Sequence, residues 1–391
     1  MIVFSEALDI ILGQAQINNS EEVSFSDSVG RVLAQNIHSD INMPPFDKSA
    51  MDGFACRRSD LDLELELVEV IQAGEPPKKK IAAGQCSQIM TGAMIPDGAD
   101  IVIMVEQTEK KESGKIRFTG GNSRSHICIL GEDVRKDDLV LEAGTMIGVR
   151  HISVLATVGA MRVKVYKQPR VAVLATGTEL VEPEITPGPS QIRNSNAAQM
   201  MAQLRSIGLS PVYHGIAPDN ELQTYSMLKK ALENSDILML SGGVSMGEFD
   251  FVPSVLKKLG FDLLFQKIAI QPGKPTTFGV NKGKFVFALP GNPVSSFIIF
   301  ELLAKPFIYK CMGHDWHPRV MPLLAGQTII RKKTDRQSWF PVVINNHNKA
   351  VPLEYHGSAH IFALTRASGI ISMEIGQDTI NEDDWVDIRQ I

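Results

Sequence analysis

Residues 171–180 read VAVLATGTEL and residues 237–250 read ILMLSGGVSMGEFD. Each stretch opens with a continuous apolar run, which is typical of a strand buried on both faces, and each run ends in glycine and hydroxyl residues. Further strands are predicted near 210–215, 262–270 and 284–289, and helices over 197–207, 221–232, 252–259 and 294–309. Because strands and helices alternate, we predict a three-layer α/β domain with a mostly parallel sheet over residues 169–314.

The chain has a different texture on either side of this α/β domain. Apolar residues at helical spacing predict a first helix over 5–16, with Ser5 as its N-cap. Short alternating runs such as LDLELELVEV predict β structure from Val23 to about Val165. We therefore predict an N-terminal helix with an elongated linker domain (1–40 and 140–168), a β-rich insertion domain (41–139) and a small C-terminal β domain (315–391).

Composition and charge exclude several classes of protein. The net charge of −5 and the absence of a Lys/Arg block longer than three residues argue against nucleic-acid binding as the main role. The four cysteines have no CxxC spacing, so neither a zinc ribbon nor a disulfide framework is indicated, and a reducing compartment fits. No uncharged apolar run is long enough to cross a bilayer, and the N-terminus lacks the basic region of a signal peptide. We expect a cytoplasmic enzyme with neither nucleic acid nor membrane as partner.

Glycine-rich segments follow the predicted strands, and ligands of open α/β sheets bind beyond the carboxyl ends of strands. Consecutive glycines let backbone N–H groups converge on an anion, and serines add hydroxyl donors. The segments match neither a Walker A loop nor GxGxxG, and a rigid structural turn explains each of them about equally well. The residues that we predict to hold a phosphate-bearing ligand are Thr176, Gly177, Ser241, Gly242, Gly243, Ser245, Gly273, Pro290, Gly291, Asn292, Pro293 and Ser295.

Charged residues beside these segments suggest further roles. Lys274 on a stiff loop and the nearby Lys267 can supply point charges for an oxyanion, although a solvated surface lysine is the simpler explanation of either. Asp219 and Asp250 can share a divalent cation, because carboxylate oxygens suit Mg²⁺. Helix capping is the competing explanation for Asp219.

One segment of the β-rich half also looks like a site. Residues 43–55 read MPPFDKSAMDGFA, which packs apolar, charged and small residues together without periodicity. Asp52 is its best candidate for a reactive or ligand-positioning carboxylate. The turns around Thr91 and Asp133 carry no signal of their own beyond polarity.

The motifs taken together resemble one family. PPFDKSAMDGFA, MTGA, GED, VLATGTEL, SGGVSMGEFD, PGKP and LPGNPVSS, in this order, are similar to the MoeA/gephyrin E-domain family of molybdopterin molybdenumtransferases, over nearly the full chain. The middle domain is similar to MogA-type molybdopterin adenylyltransferases. The resemblance implies insertion of molybdenum from molybdate into adenylylated molybdopterin with release of AMP, assisted by Mg²⁺. It also implies a homodimer with the site between subunits, and contact with the adenylyltransferase and with molybdoenzyme acceptors.

The resemblance assigns roles to particular residues. It implies catalytic roles for Asp52, Thr91, Asp133, Glu179, Lys267 and Lys274. It places Asp219 and Asp250 on the side of the nucleotide phosphate and the metal, and it implies a pocket that is locally positive.

The chain departs from the family where basic residues are usual, at Cys128, Gln271 and Pro341. Arg124 and Arg336 are close enough in sequence to compensate. The departures motivate one alternative, a non-catalytic pterin-binding or scaffolding protein. Another alternative is a nucleotidyltransferase that acts on the same pterin, against which the SAMDG half argues.

Overall fold

The computed structural model describes residues 1–121, 124–244, 250–353 and 360–391, so Ser245 lies outside the described residues. Its centre is a six-stranded sheet. In spatial order the strands are Val212–Ala217, Val171–Thr176, Ile237–Ser241, Lys284–Leu289, Thr277–Asn281 and Asp262–Phe265. Five of these strands run in the same direction, and Thr277–Asn281 runs in the opposite direction. The predicted mostly parallel α/β sheet is confirmed.

Helices cover both faces of this sheet, as alternation along a buried strand requires. Val173 and Ala175 face one hydrophobic cluster, and Ala172 and Leu174 face a second one on the opposite side. The helices are Ser195–Ser206, Glu221–Glu233, Val252–Lys258, Pro293–Ile299 and Lys305–Cys311, the last two joined by a π-helical turn over Phe300–Ala304. The apolar run 171–175 is therefore fully buried because each of its faces meets a helix layer.

The predicted strand 262–270 is two separate strands. Asp262–Phe265 ends the central sheet, whereas Ile270–Gln271 pairs in parallel with Gln337–Ser338 of a different sheet. Thr277–Asn281 was not predicted, since its run TTFGVN contains a glycine. That glycine allows close packing: a Cβ on Gly279 would lie 2.8 Å from Leu263 Cδ2.

The N-terminal helix spans Phe4–Gln14 and packs on the central domain. Ala7 and Ile11 are fully buried in the same cluster as the central strands. The prediction of Ser5 as N-cap is wrong: the capping position is Val3, whose extended backbone precedes the helix without a side-chain hydrogen bond. Tertiary packing rather than capping thus sets the start of this helix.

Two regions flank the central sheet in sequence. A six-stranded sheet lies between residues 53 and 118, and its strands are, in spatial order, Ile101–Met104, Gly53–Cys56, Gln85–Ile89, Glu64–Ile71, Ile116–Phe118 and Thr108–Lys110. A second such sheet contains Ile270–Gln271, Gln337–Ile344, Lys349–Pro352, Val320–Ala325, Trp385–Arg389 and Gly369–Met373.

Short paired strands and one helix complete the description. The pairs are Ser20–Ser24 with Arg162–Tyr166, Leu139–Leu141 with Ile37–His38, Ile127–Cys128 with Lys48–Ser49, Leu180–Val181 with Ile192–Arg193, and Ile329–Ile330 with Thr379–Ile380. The helix is Val149–Thr157. Separate hydrophobic clusters around Leu33, Leu65 and Ile388 support the four-part division, whose boundaries remain a prediction. In the described part of the chain, no helix has the length and apolar character needed to cross a membrane.

A buried charged network joins the central domain to the C-terminal sheet. Glu301, only 6% exposed, pairs with Lys305 at 2.8 Å and accepts a hydrogen bond from Gln203 at 3.0 Å. Its backbone carbonyl accepts from Arg389 at 2.6 Å. Arg389 and Lys305 both lie over the ring of Trp316, at 5.3 and 5.2 Å from its centroid. Because a buried charge must be paired, this network fixes the C-terminal sheet against the helix layer.

Candidate active site

A cavity of about 560 Å³ opens at the carboxyl ends of the central parallel strands. Each of four strands contributes the loop that follows it, so the wall collects residues that are far apart in sequence. The predicted residues in this wall are Thr176, Gly177, Glu179, Asp219, Ser241, Gly242, Gly243, Asp250, Gly291, Asn292 and Pro293. The loops that follow these strands thus line one cavity, and the functional roles of their residues remain a prediction.

The glycines of the 241–243 loop allow a close approach of backbone segments. Gly242 and Gly243 have φ of +90° and +65°, a region that disfavours side chains. A Cβ on Gly242 would lie 2.5 Å from the carbonyl oxygen of Thr176, and one on Gly243 would lie 2.6 Å from Val252 Cγ2. The amide of Gly242 donates to the carbonyl of Leu289 at 3.1 Å. This glycine therefore shapes the cavity, and its N–H is not free for an anion.

The segment 193–196 was missed by sequence reasoning and forms part of the wall. Arg193, Asn194, Ser195 and Asn196 all line the cavity. Asn194 caps the following helix by accepting from the backbone of Ala197 at 3.2 Å. The signal was the pair of asparagines just ahead of the predicted helix, whose start was placed too late, at residue 197.

The side chains of the wall are more acidic than expected. Its described ionisable residues are the carboxylates Glu179, Asp219 and Asp250 and one guanidinium, Arg193. The expectation of a locally positive pocket is therefore wrong for the side chains in the described wall. An anionic ligand bound here needs hydroxyl and backbone donors together with a cation that offsets the carboxylates.

Asp219 does not cap a helix. Asn220 caps the helix Glu221–Glu233 by accepting from the backbone of Gln223 at 3.1 Å. The Asp219 carboxylate instead accepts a hydrogen bond from the backbone amide of Thr178 at 3.0 Å. In return, the backbone amide of Asp219 donates to the Thr178 hydroxyl at 3.1 Å. Asp219 thus ties two strand-end loops together at the cavity.

The donor set suits Mg²⁺ only in part. Within residues 1–121, 124–244, 250–353 and 360–391, no group of three or more His, Cys, Asp or Glu side chains is arranged to hold a metal. Mg²⁺, however, keeps several waters and is usually bound by one or two carboxylates plus the phosphates of a substrate. Asp219 and Asp250, both in the wall, fit that mode of binding.

Within the central domain, five of the described predicted residues do not contribute to the wall: Lys267, Lys274, Gly273, Pro290 and Ser295. Gly273, Pro290 and Ser295 are buried behind it. Lys274 is exposed on the loop whose next residue, Pro275, does line the cavity. The 241–243 loop and the PGKP loop therefore lie on the same side of the molecule, as predicted.

Asp52 and Thr91 meet outside the cavity wall. Asp52 Oδ1 accepts from the backbone amide of Thr91 at 2.6 Å and from its hydroxyl at 2.8 Å. These two hydrogen bonds lower the pKa of the Asp52 carboxyl. Asp133 is also exposed, and its amide donates to the carbonyl of Met43 at 3.0 Å. The three residues belong to the β-rich half and do not reach the cavity of their own chain.

The departures from the resembled family leave the described wall intact. Cys128 lies half-buried beside Glu132, where burial raises the pKa of its thiol. Gln271 is exposed on its short strand, and Pro341 is buried opposite Ile370. Neither these residues nor Arg336, which lies 3.6 Å from Asp335, line the cavity, and the same holds for Arg124.

Two known families match parts of the chain. Residues 2–159 match the MoeA N-terminal region (domain I and II), and residues 172–310 match the probable molybdopterin binding domain. The molybdopterin molybdenumtransferase of Haemophilus influenzae is 39% identical over 398 residues, which cover 100% of this chain and 98% of that protein. That of Staphylococcus epidermidis is 38% identical over 322 residues, 80% of this chain and 76% of that protein.

A solved structure agrees in fold. The molybdopterin biosynthesis MoeA protein of Pyrococcus horikoshii is 30% identical, with a TM-score of 0.81 over 100% of this chain and 99% of that one. Sequence and fold point the same way over the full length, and the chain belongs to the MoeA family of molybdopterin molybdenumtransferases.

Proposed function

We propose that this enzyme of molybdenum cofactor biosynthesis inserts molybdenum from molybdate into adenylylated molybdopterin and releases AMP. The observation that carries the proposal is the cavity of about 560 Å³ into which the TGTE, SGG and GNP loops converge. That volume falls within the roughly 300–1,000 Å³ of small-molecule sites. The family membership supplies the substrate class.

Hydroxyl groups and carboxylates divide the work in the proposed site. Ser241 donates to a phosphate oxygen of the ligand. The Thr176 hydroxyl donates to the carbonyl of Ser241 at 3.4 Å, and Asn292 and Pro293 line the same cavity. Asp219 and Asp250 would hold Mg²⁺, which would supply positive charge against the phosphates of the ligand. Glu179 lies on the same wall, where a carboxylate can orient the attacking water.

The lysines are proposed to attract molybdate to the rim. Lys274 is exposed beside Pro275, so its ammonium can meet an oxyanion that approaches the cavity. Lys267 is half-buried on the segment that leads into the same loop. Each acts as a point charge rather than as a wall residue.

The β-rich half is proposed to complete the site of a second subunit. Asp52 and Thr91 pair with each other on an exposed surface, and Asp133 is exposed as well. Since these residues are absent from the wall of their own chain, a homodimer can bring them to the cavity of the partner. We further propose a cytoplasmic location, with transient contact to the adenylyltransferase and to acceptor molybdoenzymes.

The test is incubation of the purified protein with adenylylated molybdopterin and molybdate, with and without Mg²⁺. We expect molybdate-dependent AMP release, molybdenum in the pterin product, and stimulation by Mg²⁺. Tight pterin binding without AMP release would instead identify a non-catalytic binding protein. Formation of adenylylated molybdopterin from ATP and free pterin would identify an adenylyltransferase.

A further inference from the structure

A buried amide side chain links two loops of the cavity. Asn196, 9% exposed, is the second residue of the helix Ser195–Ser206 and lines the cavity. Its Nδ2 lies 2.7 Å from Ser241 Oγ and 2.7 Å from the carbonyl oxygen of Gly291. Ser241 ends one central strand and Gly291 follows the next one, so this single nitrogen ties two adjacent strand-end loops together.

The chemistry of the partners fixes the orientation of the amide. The carbonyl oxygen of Gly291 can only accept a hydrogen bond, so the nitrogen of Asn196 must face it. A reversed amide would place two oxygens against each other. The second proton of Nδ2 then goes to Ser241 Oγ, which therefore acts as an acceptor here.

The orientation of Asn196 determines what the Ser241 hydroxyl does. A hydroxyl has one proton, and an oxygen that accepts from Asn196 keeps that proton for another acceptor. Ser241 lines the cavity, as does Asn196. Oδ1 of Asn196 is buried and has no hydrogen-bond partner among the residues that the structure describes. The Asn196 amide is therefore held by the two hydrogen bonds of its nitrogen, and the bond to Ser241 Oγ orients that hydroxyl.

We propose that Asn196 is a positioning residue that makes the Ser241 hydroxyl a hydrogen-bond donor to a phosphate oxygen of the bound ligand. The proposal rests on the proposed function, since it assigns the phosphate end of the pterin ligand to this loop. Asn196 acts through Ser241. Its second hydrogen bond, to the carbonyl of Gly291, holds the adjacent strand-end loop in place.

Substitution of Asn196 by aspartate gives the sharpest test. Aspartate has the same shape but two acceptor oxygens, so the Ser241 hydroxyl turns to donate to it, and a new negative charge faces the phosphate. We expect Asn196→Asp to raise the KM for adenylylated molybdopterin about 100-fold, and Asn196→Ala about 10-fold, as loss of a charge-assisted hydrogen bond implies.

Asn281→Ala is the matched control. Asn281 Nδ2 donates to the carbonyl of Leu259 at 3.0 Å in the same domain, and this residue does not line the cavity. We expect its KM to stay within about twofold of the unchanged protein, with a similar loss of thermal stability. The proposal would be overturned if the KM of Asn196→Asp equalled that of the control, or if it rose less than the KM of Asn196→Ala.

A double-mutant cycle tests the route through Ser241. Once Ser241→Ala has removed the hydroxyl, removal of Asn196 as well should raise KM by at most about twofold more. Effects that multiply would show that Asn196 acts independently of Ser241. Binding of inorganic pyrophosphate to the same four proteins gives a readout that does not need turnover. If the unchanged protein released no AMP, the proposed function would fail, while the ratio of pyrophosphate affinities would still decide the role of Asn196.

Discussion

The cavity on the central sheet and the Asp52–Thr91 pair on the insertion sheet are built in opposite ways. The cavity gathers loops from four neighbouring parallel strands, and its position follows from topology. Asp52 and Thr91 are 39 positions apart in sequence and meet through two hydrogen bonds on an exposed surface. The difference teaches that the cavity is formed within one chain, whereas the Asp52–Thr91 pair is proposed to act only against the cavity of a second subunit.

The largest expected effect comes from adding a side chain at Gly243, which lines the cavity. Gly243→Ala should abolish AMP release and cost about 3 kcal/mol of stability, because the new methyl group meets Val252 and the backbone is left-handed there. Gly74→Ala is the control: Gly74 has φ of +90° but nothing within 4 Å of its Cβ. It should lose only about 1 kcal/mol and no activity. Thermal unfolding and AMP release measure both; an active Gly243→Ala would mean that this loop does not hold the ligand.

A mixing experiment tests whether the two regions belong to one composite site. Asp52→Ala and Asp219→Ala should each lower AMP release about 100-fold. Heterodimers formed by refolding the two variants together carry one cavity with both residues intact, so about a quarter of the original activity should return. A mixture as inactive as its components would place both residues in the same subunit's site, or show that the chain is not a dimer.

The carboxylates of the cavity give a smaller, metal-dependent effect. Asp219→Asn keeps an oxygen for the Thr178 amide but loses a charge, so the Mg²⁺ concentration for half-maximal activity should rise about 10-fold. Glu221→Gln is the control. Glu221 lies two residues after Asp219, pairs with Lys258 at 2.7 Å and does not line the cavity. Equal Mg²⁺ dependence in both variants would remove Asp219 from the metal site.

The smallest effect is a change in the titration of Asp52. Its pKa is lowered because the Thr91 amide and hydroxyl donate to the ionised form. The stabilisation is present above the ordinary carboxyl pKa and is lost as the pH falls through the lowered pKa. Thr91→Val removes one of the two donors, so the pKa of Asp52 should move part of the way up, as followed by carboxyl NMR. Thr108→Val, whose hydroxyl donates to the carbonyl of Val105, should leave Asp52 unchanged.

Most of the central fold could be predicted from the sequence because its signals are local. The run 171–175 is fully buried as expected, and the predicted helix 221–232 is observed as Glu221–Glu233. The strand Thr277–Asn281 escaped because its glycine serves a contact with Leu263, 14 or more positions away in the sheet. A local pattern does not report such a neighbour.

The position of the candidate site could be predicted, because strand ends determine it. The hydrogen-bond partners of individual side chains could not be predicted. Ser241, Gly291 and Asp219 lie in one wall because parallel strands bring their ends to one edge, which the strand pattern predicts. Asn196 was missed because its role depends on two hydrogen bonds to residues 45 and 95 positions away. The expected positive pocket failed for a related reason: the lysines were near in sequence but point outside the wall formed by the described residues.

The joint between Glu301 and Arg389 has a consequence for how the protein is made. The two residues are 88 positions apart, so on a ribosome that adds about 5–20 residues per second the guanidinium follows its acceptor by roughly 4–18 s. During that interval the nascent chain exposes the Glu301 carboxylate, the Lys305 ammonium and the Trp316 indole without Arg389, which is made last. Translation pauses within residues 320–388 should therefore lengthen the exposure of these groups.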